Sequence, residues 1–316
     1  MKPSALIFAL LCCSIAVQAQ IDTVARPVPK LPSYYKQDRQ RARQLSKIVS
    51  ELRLDSSFNV GEDGTEEISL AVIDLKGGVP KFAGVNPGNF IYPASVYKMY
   101  VAAEVLHQCY EGRHALTEAV VVKPHNSVDR QREISWDPRP LLASGDTVTV
   151  NYLLDLMITR SDNSAANCLI DLATRPKINE LMHANHWEGS EVTRKFVKRA
   201  FEDSGYAKVP STMTCAMHAA DFMYKIETTR LVNPWVSQQM KVLLGRQLDK
   251  SKLAQGLPKD AMMYHKTGWY SYWTNDVGIV DNGRVRYIVA CFMPLEEDRA
   301  RPLMKALSEK IFALFR

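Results

Sequence analysis

The sequence predicts an α+β fold: an α/β sandwich in which one five-stranded antiparallel sheet is flanked by helices and joined to an all-helical part. Three observations lead there. Segments that alternate with period two stand near both ends of the chain, while the middle carries helical periodicity. Strands at both ends with helices between them imply one sheet assembled from the two termini. Hydrophobic residues make up 46% of the 316 residues, enough for a full core and incompatible with global disorder.

Taken in order, residues 1–19 read as a secretory signal peptide. Lys2 gives a basic start, Ala5 to Val17 is an apolar run, and Ala19 is a small residue at the cut. The run is too short to span a bilayer. An exported chain, periplasmic or secreted and without a stable membrane anchor, is therefore expected. Residues 20–34 are proline-spotted and are expected to form a loose tail. A single catalytic domain is expected over 35–316, with its sheet drawn from 35–92 and 261–316 and its helical part from 93–260.

Tyr35 to Leu54 has helical spacing, with Leu45, Ile48, Val49 and Leu52 on one stripe. Glu67 to Leu75 and Lys81 to Val85 read as strands around the turn signal Gly77-Gly78. A helix from about Ala94 to Gln108 follows, then a polar excursion from His125 to Gly145. Val150 to Thr159, Ser164 to Ala173, Lys177 to Asn185, Thr212 to Ile226 and Pro234 to Leu244 read as helices. Met262 to Thr267, Thr274 to Val280 and Val285 to Phe292 supply three more strands, the last two joined by the turn Asp281-Asn282-Gly283. Arg299 to Phe315 closes the chain as an amphipathic helix.

Net charge is +6, from 40 basic and 34 acidic residues interleaved along the chain. Arg39, Arg41, Arg43 and Lys47 read as one solvated helix face rather than a nucleic-acid stripe, so no nucleic-acid partner is expected. Outside the leader the cysteines are Cys109, Cys168, Cys215 and Cys291, all in apolar surroundings that favour buried free thiols. Export permits disulfides, and four cysteines allow three full pairings among which sequence does not choose. His183, His186 and Glu188 have ligand-like spacing, but a cation pair at a helix end is the simpler reading, and no metal or cofactor is expected.

The chemistry concentrates in three short motifs: Ser95-Val96-Tyr97-Lys98, Ser161-Asp162-Asn163 and Lys266-Thr267-Gly268. S-x-x-K alone arises by chance about once in a chain of this size, and Ser33-Tyr34-Tyr35-Lys36 in the tail is such an accident. Ser95 has better context, because Pro93 and the apolar run after Met99 place it in the first turn of a helix. Ser95 and Lys98 then share a face. The positive helix end and burial both favour a neutral Lys98 amine able to take the Ser95 proton.

The three motifs in this order resemble the class A β-lactamases and the penicillin-binding serine hydrolases. Asp155-Leu156-Met157-Ile158-Thr159 leading into Ser161-Asp162-Asn163-Ser164-Ala165-Ala166-Asn167 is similar to the class A run as well. The resemblance covers about Tyr35 to Arg316 and implies a β-lactamase-like fold. It implies that Ser95 is the acylated nucleophile, that Lys98 assists its activation, and that Ser161 relays a proton to the leaving nitrogen. Asn163 would hold a substrate amide. Lys266 and Thr267 would bind a substrate carboxylate. Gly268 would let the substrate lie against the strand, and the Trp269 N–H would join that of Ser95 as an oxyanion donor.

One departure stands out. The class A family carries a glutamate in the pattern E-x-x-L-N that activates the deacylating water, and no such pattern occurs between Val192 and Ser211. Counting back from Thr212-Met213 puts its place near Val197, in Phe196-Val197-Lys198-Arg199. Glu202, the nearest carboxylate, is a candidate deacylation base alongside Lys98, and Glu191 is the next acid, although both glutamates read better as solvated loop acids. The expected activity is opening of β-lactam rings through a Ser95 acyl-enzyme. The alternatives are a D,D-peptidase acting on peptidoglycan stem peptides that end in D-Ala-D-Ala, and a β-lactam sensor that stays acylated. The expected partners are thus a small β-lactam or a stem peptide, bound by a monomer.

Overall fold

The strand β4 (Ser69–Asp74) sends Leu70 and Val72 to one face and Ala71 and Ile73 to the other, and all four are fully buried. A strand apolar on both faces needs a layer on each side. Both layers are present in the structure, a computed structural model that describes residues 26–197 and 210–316. The signal-peptide reading and Glu202 lie outside the described residues.

The sheet has the order β1-β5-β4-β10-β9-β8. Here β5 is Lys81–Val85, β8 is Met262–Tyr270, β9 is Trp273–Asp281 and β10 is Arg286–Met293. These with β4 are the five expected antiparallel strands, and β4 pairs with β10 in the register Ala71 to Ala290, which joins the two ends of the chain. The expected count of five is corrected to six. The two-residue β1 (Lys36–Gln37) adds to β5 in parallel. Both its residues are polar and exposed, so no apolar alternation announced it. Two small hairpins stand apart from this sheet: β2 (Phe58–Asn59) with β3 (Thr65–Glu66), and β6 (Ala119–Val121) with β7 (Thr147–Thr149). The second closes the base of the polar excursion.

On the outer face, α1 (Arg39–Glu51) and the C-terminal α8 (Glu297–Ala313) pack Leu45, Val49, Met304, Leu307 and Ile311 against Leu70, Val72, Val289 and Cys291. Asp38 starts α1 by accepting from the Arg41 N–H at 2.9 Å. On the inner face lie α2 (Lys98–Tyr110), α3 (Val150–Thr159), α4 (Asn163–Ala173), α5 (Arg175–Ala184), α6 (Ala216–Glu227) and α7 (Pro234–Gly245). Lys98 to Leu106 of α2 is buried without interruption, as befits a helix surrounded by others.

The segment from Arg26 to Tyr34 is irregular but held. Arg26 donates to the Gly189 carbonyl at 2.5 Å, and the Tyr34 hydroxyl donates to Asp221 at 2.5 Å. All four described cysteines are free thiols, three of them buried. Among the described residues no helix is long and apolar enough to cross a membrane.

Candidate active site

Pro93 leads into a single 3-10 turn, Ala94–Tyr97, that runs directly into α2. Ala94 sits at φ +45°, a strained position for a residue with a Cβ. The turn leaves Ser95 partly accessible while Lys98, three residues on, is fully buried. The Lys98 Nζ lies 3.1 Å from Ser95 Oγ, 3.2 Å from Ser161 Oγ and 2.8 Å from Asn163 Oδ1, and it also donates to the Ser161 carbonyl. Ser161, at the junction of α3 and α4, adopts φ +63°. Burial brings the Lys98 pKa down to about 8, and the negative charges of Glu133, Asp129 and Asp162 oppose that fall. Burial is thus the main source of a neutral amine beside Ser95.

Strand alternation in β8 turns Lys266 toward the helices and His265 toward the opposite face, where it bonds Asp276 at 2.8 Å. Lys266 Nζ reaches Ser161 Oγ at 3.0 Å, so the Ser161 hydroxyl stands between two lysines. Burial, followed by the positive charge of Lys98, lowers the Lys266 pKa to about 7. The neighbouring Thr267 is buried, and its Oγ1 has no hydrogen-bond partner among the described residues. The strand runs three residues further than expected, to Tyr270, so the K-T-G motif lies within β8 rather than at its end.

Gly268 has a reason that the sequence did not disclose. A Cβ there would lie 2.7 Å from the Ser95 backbone nitrogen and 2.8 Å from the Pro93 carbonyl oxygen and the Val96 nitrogen. The close approach is between β8 and the Ser95 turn, not only between the strand and a substrate. Trp269 follows on the strand, and its indole donates to Glu133 at 3.0 Å, which ties the polar excursion to β8 across the cleft.

Beside Val197, where counting puts the E-x-x-L-N glutamate, the structure places the aromatic ring of Phe196. Phe196 stacks on Tyr97 with centroids 4.6 Å apart, and the Lys98 Nζ lies 4.2 Å from its centroid. Its backbone N–H donates to Asn167 Oδ1 at 2.7 Å, and the adjacent Lys195 pairs with Asp171 on α4. Glu191 is held elsewhere, its backbone bridged to Met213. Sequence reasoning missed Asp129 and Glu133, which carry no motif. His183 and His186 are exposed, and among the described residues no group of three or more His, Cys, Asp or Glu side chains could hold a metal ion.

Comparison with known proteins gives the family and the fold. Residues 51–315 match the Beta-lactamase enzyme family. A beta-lactamase from Bacteroides uniformis is 27% identical over 297 residues, covering 87% of this chain and 94% of the relative. The extended-spectrum beta-lactamase PER-1 from Pseudomonas aeruginosa is 26% identical over 207 residues, 62% of this chain and 65% of the relative, just under two thirds of its length. Among solved structures, PBP-A superposes with a TM-score of 0.72 at 21% identity, covering 90% of this chain and 99% of that one. A single-substitution mutant of PBP-A, similar at the same TM-score and identity and covering 89% of this chain and 97% of its own, is an acyl-enzyme complex with penicillin G.

Proposed function

The chain belongs to the beta-lactamase enzyme family, and from that premise we propose that it is an exported active-site-serine hydrolase that opens β-lactam rings through an acyl-enzyme on Ser95. The observation that carries the reading is the fully buried Lys98 with its Nζ 3.1 Å from Ser95 Oγ. In its neutral form Lys98 accepts the Ser95 proton as Oγ attacks the lactam carbonyl. The backbone N–H groups of Ser95 and Trp269 receive the developing oxyanion. The carbon–nitrogen bond then breaks, and Ser161 passes a proton from the lysine pair to the leaving nitrogen. Lys266 and Thr267 hold the substrate carboxylate, and Asn163 holds its acyl amide. Water completes the cycle by releasing the acid and restoring the Ser95 hydroxyl.

A second reading, a D,D-peptidase for stem peptides ending in D-Ala-D-Ala, draws support from Phe196. A hydrolytic water needs a base within hydrogen-bond reach, and an apolar ring faces Lys98 where a carboxylate would serve. The cleft beside Ser95, about 1820 Å³, also exceeds the roughly 300–1,000 Å³ of a small-molecule site and accommodates a peptide. A time course with a chromogenic cephalosporin, read alongside intact mass, tests the first reading. Rapid turnover without a lasting adduct upholds it. A lasting adduct overturns it, and release of D-alanine from a D-Ala-D-Ala peptide then distinguishes the peptidase from a sensor that stays acylated.

A further inference from the structure

Asp129 belongs to none of the motifs, yet its carboxylate grips the S-D-N loop at three points. Oδ2 accepts from the backbone N–H of Asn163 at 2.8 Å and of Ser164 at 2.9 Å, and Oδ1 accepts from the Asn163 side-chain amide at 2.8 Å. The Asp129 backbone N–H returns a bond to Ser164 Oγ at 3.2 Å. The two N–H groups belong to the first turn of α4, which has no intrahelical acceptor for them and favours an anion.

A carboxylate only accepts, so the end of the Asn163 amide that meets Asp129 is its NH2. The carbonyl end is thereby turned to Lys98, from which it accepts at 2.8 Å. One amide N–H remains for a substrate. We propose that Asp129 is a positioning residue for acylation, one that fixes which end of Asn163 faces Lys98 and keeps an anion behind that amide. It acts through Asn163 and touches neither Ser95 nor Lys98. The proposal rests on Ser95 being the acylated nucleophile.

Lys98 is faced by the hydroxyls of Ser95 and Ser161, the Ser161 carbonyl, the Asn163 amide and the Phe196 ring. Its charged neighbours are Lys266 across Ser161 and the anions Glu133, Asp129 and Asp162. The three anions favour the ammonium form. Removing one of them moves the titration of Lys98 to lower pH. Removing the carboxylate also frees the Asn163 amide to turn over and present a donor to a donor.

The test compares Asp129→Asn with the wild type. Acylation by penicillin at pH 8 should slow at least tenfold, and the midpoint of the rising limb of its pH profile should fall. In an Asn163→Ala background the same change should slow acylation less than twofold further, because the amide it orients is gone. Asp129→Ser keeps an oxygen that caps α4 without the charge, so it should melt near the wild-type temperature and still show the lowered midpoint. Lys98 is also titrated in the unreacted protein by NMR of the lysine ε-carbons, a readout that needs no acylation. Failure of the wild type to be labelled would defeat the Ser95 reading, while the NMR midpoint would still decide the role of Asp129. Folded Asp129 variants that acylate within twofold of wild type and leave the Lys98 midpoint unmoved overturn the proposal. So do losses that simply add in the double variant.

Discussion

Two buried lysines, Lys98 and Lys266, reach the same Ser161 hydroxyl at 3.2 and 3.0 Å, and each is pushed down in pKa by burial, to about 8 and about 7. Their proposed tasks need opposite protonation states. Lys98 works as the free amine, so acylation rises with pH through about 8. Lys266 holds a carboxylate only as the ammonium, which the ligand-free protein loses as pH rises through about 7. A bound carboxylate returns the proton to Lys266. The pair titrates as a unit, so the limbs belong to both lysines together. For a carboxylated β-lactam, kcat/KM should be bell-shaped in pH, and for an ester lacking the carboxylate the falling limb should vanish. Falling limbs of equal size would remove Lys266 from that role. Lys266→Ala should weaken transition-state binding of the carboxylated substrate by about 1.5–3 kcal/mol, the range for a hydrogen bond to a charged group, and the ester much less. Ser95→Ala should abolish penicillin labelling, while Ser33→Ala should leave it intact because Ser33 lies exposed in the turn before β1 and does not line the cleft beside Ser95. These residues were legible because each motif fixes its own spacing. Asp129 was not, because its partners lie more than thirty positions along the chain and only the fold brings them together.

Among the elements, the sequence revealed strands and helices wherever burial imposed a period. Leu70, Val72, Ala71 and Ile73 announce β4, and Met99, Val101, Ala102, Val105 and Leu106 announce the helix α2. It missed β1, whose two residues are exposed, and it stopped β8 at Thr267, because Gly268 reads as the break that ends a strand although Trp269 and Tyr270 after it suit one. They are one because they pair with Asn275, Thr274 and Trp273. That extension brings β8 against the Ser95 turn, and Gly268 is what the contact requires. Gly268→Ala would drive a methyl group into the backbone of Pro93, Ser95 and Val96, none of which can rotate away as a side chain could. Such overpacking costs about 1–3 kcal/mol. Urea unfolding should therefore show that loss, and penicillin labelling should fall with it because the displaced atom is the Ser95 nitrogen. A variant with wild-type stability and labelling would mean that β8 and the turn can separate freely.

Across the whole molecule, no single layer contains the proposed chemistry. Ser95 and Lys98 come from the start of α2, Ser161 and Asn163 from the α3–α4 junction, and Lys266 to Trp269 from the sheet. The inner core runs without a break from Ala71, Ile73, Val277 and Ile288 of the sheet into Met99, Leu153 and Phe222 of the helices. The helical part therefore has no core of its own to fold on, and residues 35–316 should unfold in one transition. The outer layer extends the argument to residues remote from the site. In α8, Met304, Leu307, Ile311 and Phe312 are at most 3% exposed and cover the outer face of the sheet. At roughly 1.5–3 kcal/mol for each fully buried side chain, removing these four costs about 6–12 kcal/mol, comparable with the roughly 5–15 kcal/mol total stability of a folded protein. Deleting 297–316 should thus abolish the far-UV signature of the sheet and helices together, and with it penicillin labelling at Ser95, although no deleted residue touches the cleft. Labelling that persisted at the wild-type rate in the truncated chain would show that the inner layer folds alone, and the single-domain reading would fall.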